Sequence, residues 1–217
     1  GQLVHLDPDR RGNRSRRAVR IDEYSPNLKS IRRLMAGARG GAVKVSPASD
    51  FSTRFREGEI ELVSVQGECR EATIWFGELA GGEPRRATLL PGGETLAGST
   101  SVETVAAAGG PRDFVYDPDP SIVRAGLLDL LAARLGLDRL DSSEEYLTGS
   151  RLVASPFVQA FHVESIQAYD LKRLRAVIRR NGIGVLDIKT RHTRTDIESL
   201  RRQLRLRGDL RRTLLIA

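Results

Sequence analysis

Cysteine is nearly absent from this 217-residue chain: Cys69 stands alone, so no disulfide can close within it. With no cysteine pair and no secretory segment, the expected setting is the reducing cytoplasm. No apolar run approaches the roughly 20 residues that a membrane span requires. Aromatic residues make up only 5% of the chain, too few for a broad base-stacking surface. The three histidines, His5, His162 and His192, fall in different segments and form no metal set with Cys69. The acidic neighbours Glu68 and Glu71 disfavour a thiolate, which argues against Cys69 as a nucleophile. There is no GxSxG, no glycine-rich phosphate loop and no HExxH, so nothing points to hydrolysis or nucleoside triphosphates.

What is present is arginine, and its placement. The net charge of +7 is distributed in blocks. Residues 1–44 carry eleven basic and four acidic side chains; residues 45–150 carry nine and eighteen; residues 151–217 carry fifteen and six. Two basic ends around an acidic middle suggest two surfaces that could meet a polyanion, or blocks that neutralise one another across interfaces. An apolar content of 40% is enough for real cores, in one large or two small domains.

The opening stretch organises the rest. Leu3 to Leu6 reads as a short buried strand, halted at Asp7-Pro8 because proline lacks the ladder donor. In open α/β sheets the ligand crevice lies outside the carboxyl ends of the strands, so Asp7 is a candidate active-site residue. Its alternative is a strand-end residue that caps a turn. Arg10, Arg11, Arg14, Arg16, Arg17 and Arg20 follow without apolar periodicity. They read as a loop able to meet phosphates through bidentate contacts, or as a solvated basic loop. Ser25-Pro26 predicts a helix start, with Leu28, Ile31, Leu34 and Met35 inward. Ala42 to Val45 predicts a second strand, parallel to the first. Residues 60–65 and 71–76 predict an antiparallel hairpin, and Arg85 to Leu90 a further strand. Pro91 to Pro111 reads as strand ends and a flexible connection. In Asp117-Pro118-Asp119-Pro120 an aspartate should cap an apolar helix over about Ser121–Leu135 that Gly136 ends. Tyr146 to Gly149 reads as a turn.

The C-terminal pattern is strand, helix, strand, helix, strand: Phe161–Ala168, a helix capped by Asp170, Val185–Ile188, a helix from Thr195 or Asp196 stopped by Gly208, and Thr213–Ile216. The first helix carries Lys172, Arg173, Arg175, Arg179 and Arg180 with no acid after its cap, and the second carries Arg201, Arg202, Arg205 and Arg207. Few i, i+4 ion pairs can form on the first, which leaves positive charge unpaired. Tyr169 and Phe157 are the only nearby candidates for stacking, so shape and backbone contacts to structured RNA fit better than reading of single-stranded bases.

These pieces carry a resemblance. Asp7-Pro8-Asp9-Arg10-Arg11 resembles the Asp-Pro-Pro-type loop after the fourth strand of class I S-adenosylmethionine-dependent methyltransferases. Ala42-Val43-Lys44-Val45-Ser46-Pro47 resembles the next strand of that sheet, and the following hairpin resembles the one that closes it. From about Glu145 the chain resembles the THUMP-like domain that ends one bacterial group of these enzymes. The family's glycine-rich cofactor loop would lie upstream of Gly1, so the resemblance implies the C-terminal part of a longer protein.

The implied fold is α/β: the second half of a Rossmann-like methyltransferase sheet, mixed, with a C-terminal antiparallel hairpin, and then a small α+β THUMP-like domain. The implied limits are 1–110 for the catalytic half, 111–150 for a linking helix segment and 151–217 for the THUMP-like domain. The resemblance implies Asp7, Pro8 and Asp9 as catalytic residues, Asp7 and His5 as residues toward S-adenosylmethionine, and RNA as partner. His5 by itself reads as a core or switch-point residue. Asp9 stands where the family's middle proline would be and Arg10 where its aromatic would be. That departure leaves ribose, phosphate-adjacent and other acceptors open beside a base amine. Cofactor binding by this chain alone should be weak or nil. The first strand, lacking a neighbour, should present an open apolar edge that recruits a second copy or leaves the first residues disordered.

Overall fold

The computed structural model describes residues 1–10, 20–100, 103–191 and 195–217. It contains a six-stranded sheet, a four-stranded sheet and a two-stranded sheet. The strands and helices of the large sheet are β1 (Leu3–Leu6), α1 (Leu28–Ala36), β2 (Gly40–Val45), α2 (Phe51–Arg54), β3 (Glu59–Val65), β4 (Glu68–Gly77), β5 (Arg85–Leu90) and β6 (Glu94–Gly98). Their order across the sheet is β1-β2-β4-β3-β5-β6.

The strand–helix–strand opening is as the pattern predicts: β1 runs parallel to β2, with Leu3 opposite Gly40 and Leu6 opposite Val43. The hairpin β3–β4 is antiparallel, and β4 rather than β3 lies against β2. Leu28 and Ile31 of α1 are buried and Met35 packs on the same core, whereas Leu34 is 45% exposed. β1 is an edge strand, so Leu3 and His5 are exposed and Val4 and Leu6 only half-buried. His5 is therefore not a core residue.

Several local expectations are corrected. Ser25 does not cap α1, because its backbone is committed to a bridge with Asp9; Asn27 caps instead, its side chain accepting from the Ser30 amide at 3.1 Å. The glycine- and threonine-rich stretch after Pro91 contains β6, whose Leu96 is buried against the sheet. The apolar helix is two helices, α3 (Pro120–Ala125) and α4 (Leu128–Leu135). The break is at Gly126, in the left-handed region at φ +73°, where glycine lacks the Cβ that disfavours this conformation. Gly136 ends α4 in the same way.

The four-stranded sheet has the order β10-β7-β9-β8, from β7 (Phe114–Pro118), β8 (Asp138–Arg139), β9 (Leu147–Gly149) and β10 (Val158–His162). The predicted turn at Tyr146–Gly149 is thus buried throughout, with Leu147–Gly149 forming β9. The strand expected over Phe161–Ala168 is β10, shifted toward the N-terminus and paired antiparallel with β7. The Phe114 ring meets the edge of His162 at 5.3 Å across that pair.

Beyond it come α5 (Leu171–Arg180), β11 (Ile183–Thr190), α6 (Ile197–Leu204) and β12 (Leu210–Ile216). Of the three predicted C-terminal strands only β11 and β12 pair with each other, in parallel. Gly184 faces Gly208 at their start, so closely that any side chain on Gly184 would collide with the Gly208 backbone. Arg205, in the left-handed conformation, ends α6 before Gly208. A large core spans the first two sheets and the helices between them; a second cluster, centred on Leu174, Ile178, Ile183, Leu186, Leu200 and Leu204, belongs to the last four elements.

Candidate functional site

The carboxyl ends of β1 and β2 open side by side, and three loops are laced together there. Pro8 is buried and holds the chain as it leaves β1; Asp7 and Asp9 on either side are exposed. The Asp9 amide donates to the Ser25 carbonyl at 2.8 Å and the Ser25 amide returns a bond to Asp9 at 2.9 Å. One residue earlier, Tyr24 is buried, and its hydroxyl accepts from the Ser46 amide at 3.2 Å, just past the end of β2. The loop after β1 is thus tied through residues 24–25 to the loop after β2.

Asp50 extends the lacing. It accepts from the Ile21 amide at 3.3 Å and from Arg54 at 2.8 Å, and Arg54 also meets Asp22 at 2.7 Å. The Arg54 hydrogen bond holds the Asp50 carboxyl below its ordinary range. Arg124 reaches over from α3 to donate to the Pro47 carbonyl at 2.7 Å and the Ser49 carbonyl at 3.2 Å, its guanidinium 5.1 Å from the Phe51 ring centre. On β2, Lys44 pairs with Glu71 at 2.9 Å. That hydrogen bond raises the Lys44 pKa; the charge of Asp7 adds to it and Arg10 opposes it, so Asp7, Lys44 and Arg10 are within electrostatic reach at the rim.

Asp7, Pro8, Asp9 and Arg10 are therefore together at a strand-end rim, as their sequence positions suggested. His5 sits on the same edge strand, exposed. Arg11, Arg14, Arg16 and Arg17 lie outside the described residues. Sequence reasoning missed Tyr24, Lys44, Ser46, Asp50, Arg54 and Arg124; the Asp50/Arg54 pair was signalled only by its i, i+4 spacing. Cys69 is half-buried and its thiol is pushed up to about 11, chiefly by burial and then by Asp119, which disfavours nucleophilic use. A cavity of about 530 Å³ lies elsewhere, lined in part by Gln66, Asp117, Asp119, Phe157 and Arg191. One of about 450 Å³ is lined by Tyr169, Asp196, Ser199 and Gln203. Neither lining includes Asp7.

The second cluster of predicted residues is on the last unit. Asp170 caps α5, accepting from the Arg173 amide at 2.7 Å, and Lys172, Arg173, Arg175, Arg179 and Arg180 all project to solvent. Arg201, Arg202 and Arg205 are exposed on and after α6. Arg175 ties the helices together by donating to the Gln203 carbonyl at 2.7 Å, and Arg201 faces Glu198 at 3.9 Å. Among the described residues, Lys172, Arg173, Arg179, Arg180, Arg202 and Arg205 have no ion-pair partner.

Residues 158–217 match the THUMP domain-like family. Along 210 residues the chain is 39% identical to an uncharacterized S-adenosylmethionine-dependent methyltransferase of Mycobacterium tuberculosis, found in two strains. Over nearly its whole length the chain is similar to these methyltransferases. The alignment takes in 95% of this chain and 57% of the relative, so the chain spans a little over half the length of the curated relatives it matches. A crystal structure from Porphyromonas gingivalis, provisionally named a methyltransferase, superposes with a TM-score of 0.76 at 19% identity, over 99% of this chain and 55% of that one. At that identity the superposition establishes a shared fold. The α/β class, the methyltransferase-type sheet and the THUMP-like ending are thus as the sequence implied. Among the described residues no helix is long and apolar enough to cross a membrane.

Proposed function

We propose that the protein to which this chain belongs is an S-adenosylmethionine-dependent methyltransferase acting on RNA. In this reading residues 1–110 serve as the second half of the catalytic domain, 111–150 link, and 151–217 dock the substrate. The observation that carries the reading is the carboxylate of Asp7 at the open end of a parallel strand pair, in a chain related over nearly its whole length to such enzymes.

Methyl transfer from a sulfonium needs an acceptor held in line and close, and positioning is the main contribution a protein can make. The bound cofactor would supply the methyl group. Asp7 offers an oxygen that can orient an acceptor's N–H or O–H. Pro8 and the Asp9–Ser25 bridge hold the backbone just after it. Asp9 and Arg10, in place of a proline and an aromatic, give no aromatic platform for a base at this loop. His5 and Asp7 could contact the cofactor from one side only, because β1 is the sheet's edge and presents no second wall. Cofactor binding by this chain alone is therefore expected to be weak or nil, and the chain alone inactive.

The docking half of the reading rests on the unpaired cations of α5 and α6. Each phosphate neutralised releases counterions, so affinity for a structured RNA should fall steeply with salt. A cytoplasmic setting fits the single cysteine. Self-association through the edge of β1, whose Leu3 is 48% exposed, belongs to the same reading.

Titration of S-adenosylmethionine into this chain, and into the longer protein that contains it, tests the enzymatic part. Heat of binding from the longer protein and none from the chain is expected. Micromolar binding by the chain alone would overturn the one-sided site, and Asp7→Ala leaving methylation of bulk RNA unchanged would remove Asp7 from the chemistry. A second reading, a non-catalytic RNA-binding or assembly module, is favoured by one observation: the basic surface is complete within the chain whereas the rim is one-sided. RNA binding without any methyl transfer by the longer protein would select it.

A further inference from the structure

The Asp-Pro-Asp-Pro motif at the end of β7 plays two separate parts. Asp119 is a helix cap: its carboxylate accepts from the Ser121 amide at 2.8 Å, the Ser121 hydroxyl at 2.6 Å and the buried Ser64 hydroxyl at 2.9 Å. Asp117 faces the other way, toward the last unit. Lys189 of β11 donates to its Oδ2 at 2.7 Å, and Arg191 gives its Oδ1 two bonds, from Nε at 3.0 Å and Nη2 at 2.6 Å. The same guanidinium reaches the Pro118 carbonyl at 2.9 Å and Glu145 at 2.5 Å, and lies 5.4 Å from the centre of the Tyr146 ring. Arg191 is itself fixed in the last unit, its amide donating to the Ile216 carbonyl at the end of β12 at 3.3 Å.

This arrangement matters because little else restrains the unit. The two cores are separate clusters. Residues 163–170, which join them, contain no helix or strand, and 164–170 are exposed. Lys189, the other cation on Asp117, is 38% exposed, and the pair of Arg212 with Glu164 of the joining segment, at 2.8 Å, is itself exposed; surface pairs contribute little. The Arg191 pair differs: the side chains of Arg191 and Asp117 are only 17% and 11% exposed. Removing Arg191 leaves the buried Asp117 carboxylate with Lys189 alone, so the pair resists opening more than an exposed one.

We infer that Arg191 is a latch that fixes the THUMP-like unit on the α/β body through Asp117 and Glu145. It is a positioning residue. If the proposed docking role holds, the latch presets the distance between the basic face of α5 and the rim at Asp7; the latch itself does not depend on that role.

The test uses the whole chain. Chymotryptic cleavage after Phe161, half-buried in β10 with its ring 5.7 Å from the Lys189 ammonium, reports opening at the latch, small-angle scattering reports the spread of the two parts, and the sole tryptophan, Trp75 on β4, reports melting of the body. Arg191→Met should raise the cleavage rate about tenfold and lengthen the particle, with the Trp75 melt unchanged, because only the local opening equilibrium shifts. Arg212→Met should leave the rate within about twofold. Asp117→Asn, which keeps the shape of the site, should reproduce the cleavage rise if Arg191→Met disturbs folding. Unchanged cleavage in both Arg191→Met and Asp117→Asn would overturn the latch. RNA affinity is read separately: a wild-type chain that fails to bind RNA sinks the docking role and leaves the latch standing.

Discussion

The rim after β1 and the outer faces of α5 and α6 are both rich in arginine, and they use it in opposite ways. Around the rim, Arg54 is held by Asp22 and Asp50, and Arg124 by two backbone carbonyls and the Phe51 ring. Those guanidinium groups shape loops. On the last unit Arg179, Arg180, Arg202 and Arg205 point into solvent without a carboxylate in reach. Positive charge alone therefore does not tell the two sets apart: Arg54 and Arg124 serve as internal cement, whereas Arg179, Arg180, Arg202 and Arg205 have no carboxylate partner among the described residues.

The contrast can be broken most forcefully from below. Leu174 is buried in the small core under the basic face, so Leu174→Ala should cost that unit about 2–5 kcal/mol. Circular dichroism should then show loss of its helices while the Trp75 signal of the body persists; a single shared melt would show the two cores to be one cooperative system. The next effect concerns available charge. Arg179→Ala with Arg180→Ala should weaken binding of a structured RNA about tenfold near 0.1 M salt and flatten the log–log salt slope by about 1–2. Arg54→Ala should leave that slope alone, and an equal change from Arg54 would erase the distinction drawn above.

Smaller effects sharpen it. Asp170→Ala removes the cap of α5 and should cost about 1 kcal/mol, read as a lower melting temperature of the last unit only. The smallest concerns pH. Arg54 lowers the Asp50 carboxyl from its ordinary value of 3.8, so the stability it lends the rim is fully present above that value and lost as pH falls through the lowered one. Asp50→Asn should abolish that acid-side loss while costing less than about 1 kcal/mol at neutral pH, since the pair is partly exposed. A full-size acid transition in Asp50→Asn would assign it to other carboxylates.

Much of the fold was legible locally. Alternation marked β3 and β4, helical spacing with aspartate caps marked α5 and α6, and the halt at Asp7-Pro8 marked the end of β1. Misreadings came where local pattern and long-range pairing disagree. Tyr146–Gly149 has the composition of a turn, yet Leu147–Gly149 is a buried strand because β7 and β8 flank it. The run after Phe161 alternates like a strand, but the ladder with β7 stops at His162 and the rest stays exposed. Of the candidate site, the Asp7–Arg10 loop could be read directly. The Tyr24–Ser46 and Asp9–Ser25 bonds join residues 22 and 16 positions apart, and no local pattern announces them.

By itself the sequence determined where β1 ends and where α5 and α6 begin, because capping and proline act within a few residues. It also determined that the outer faces of α5 and α6 are cationic, since a helix of known phase leaves no choice about which side chains share a face. Only the tertiary structure decided which arginines are neutralised. Asp117 finds Arg191 across 74 residues, a pairing that exists only once β7 and β11 have been brought together by their separate cores.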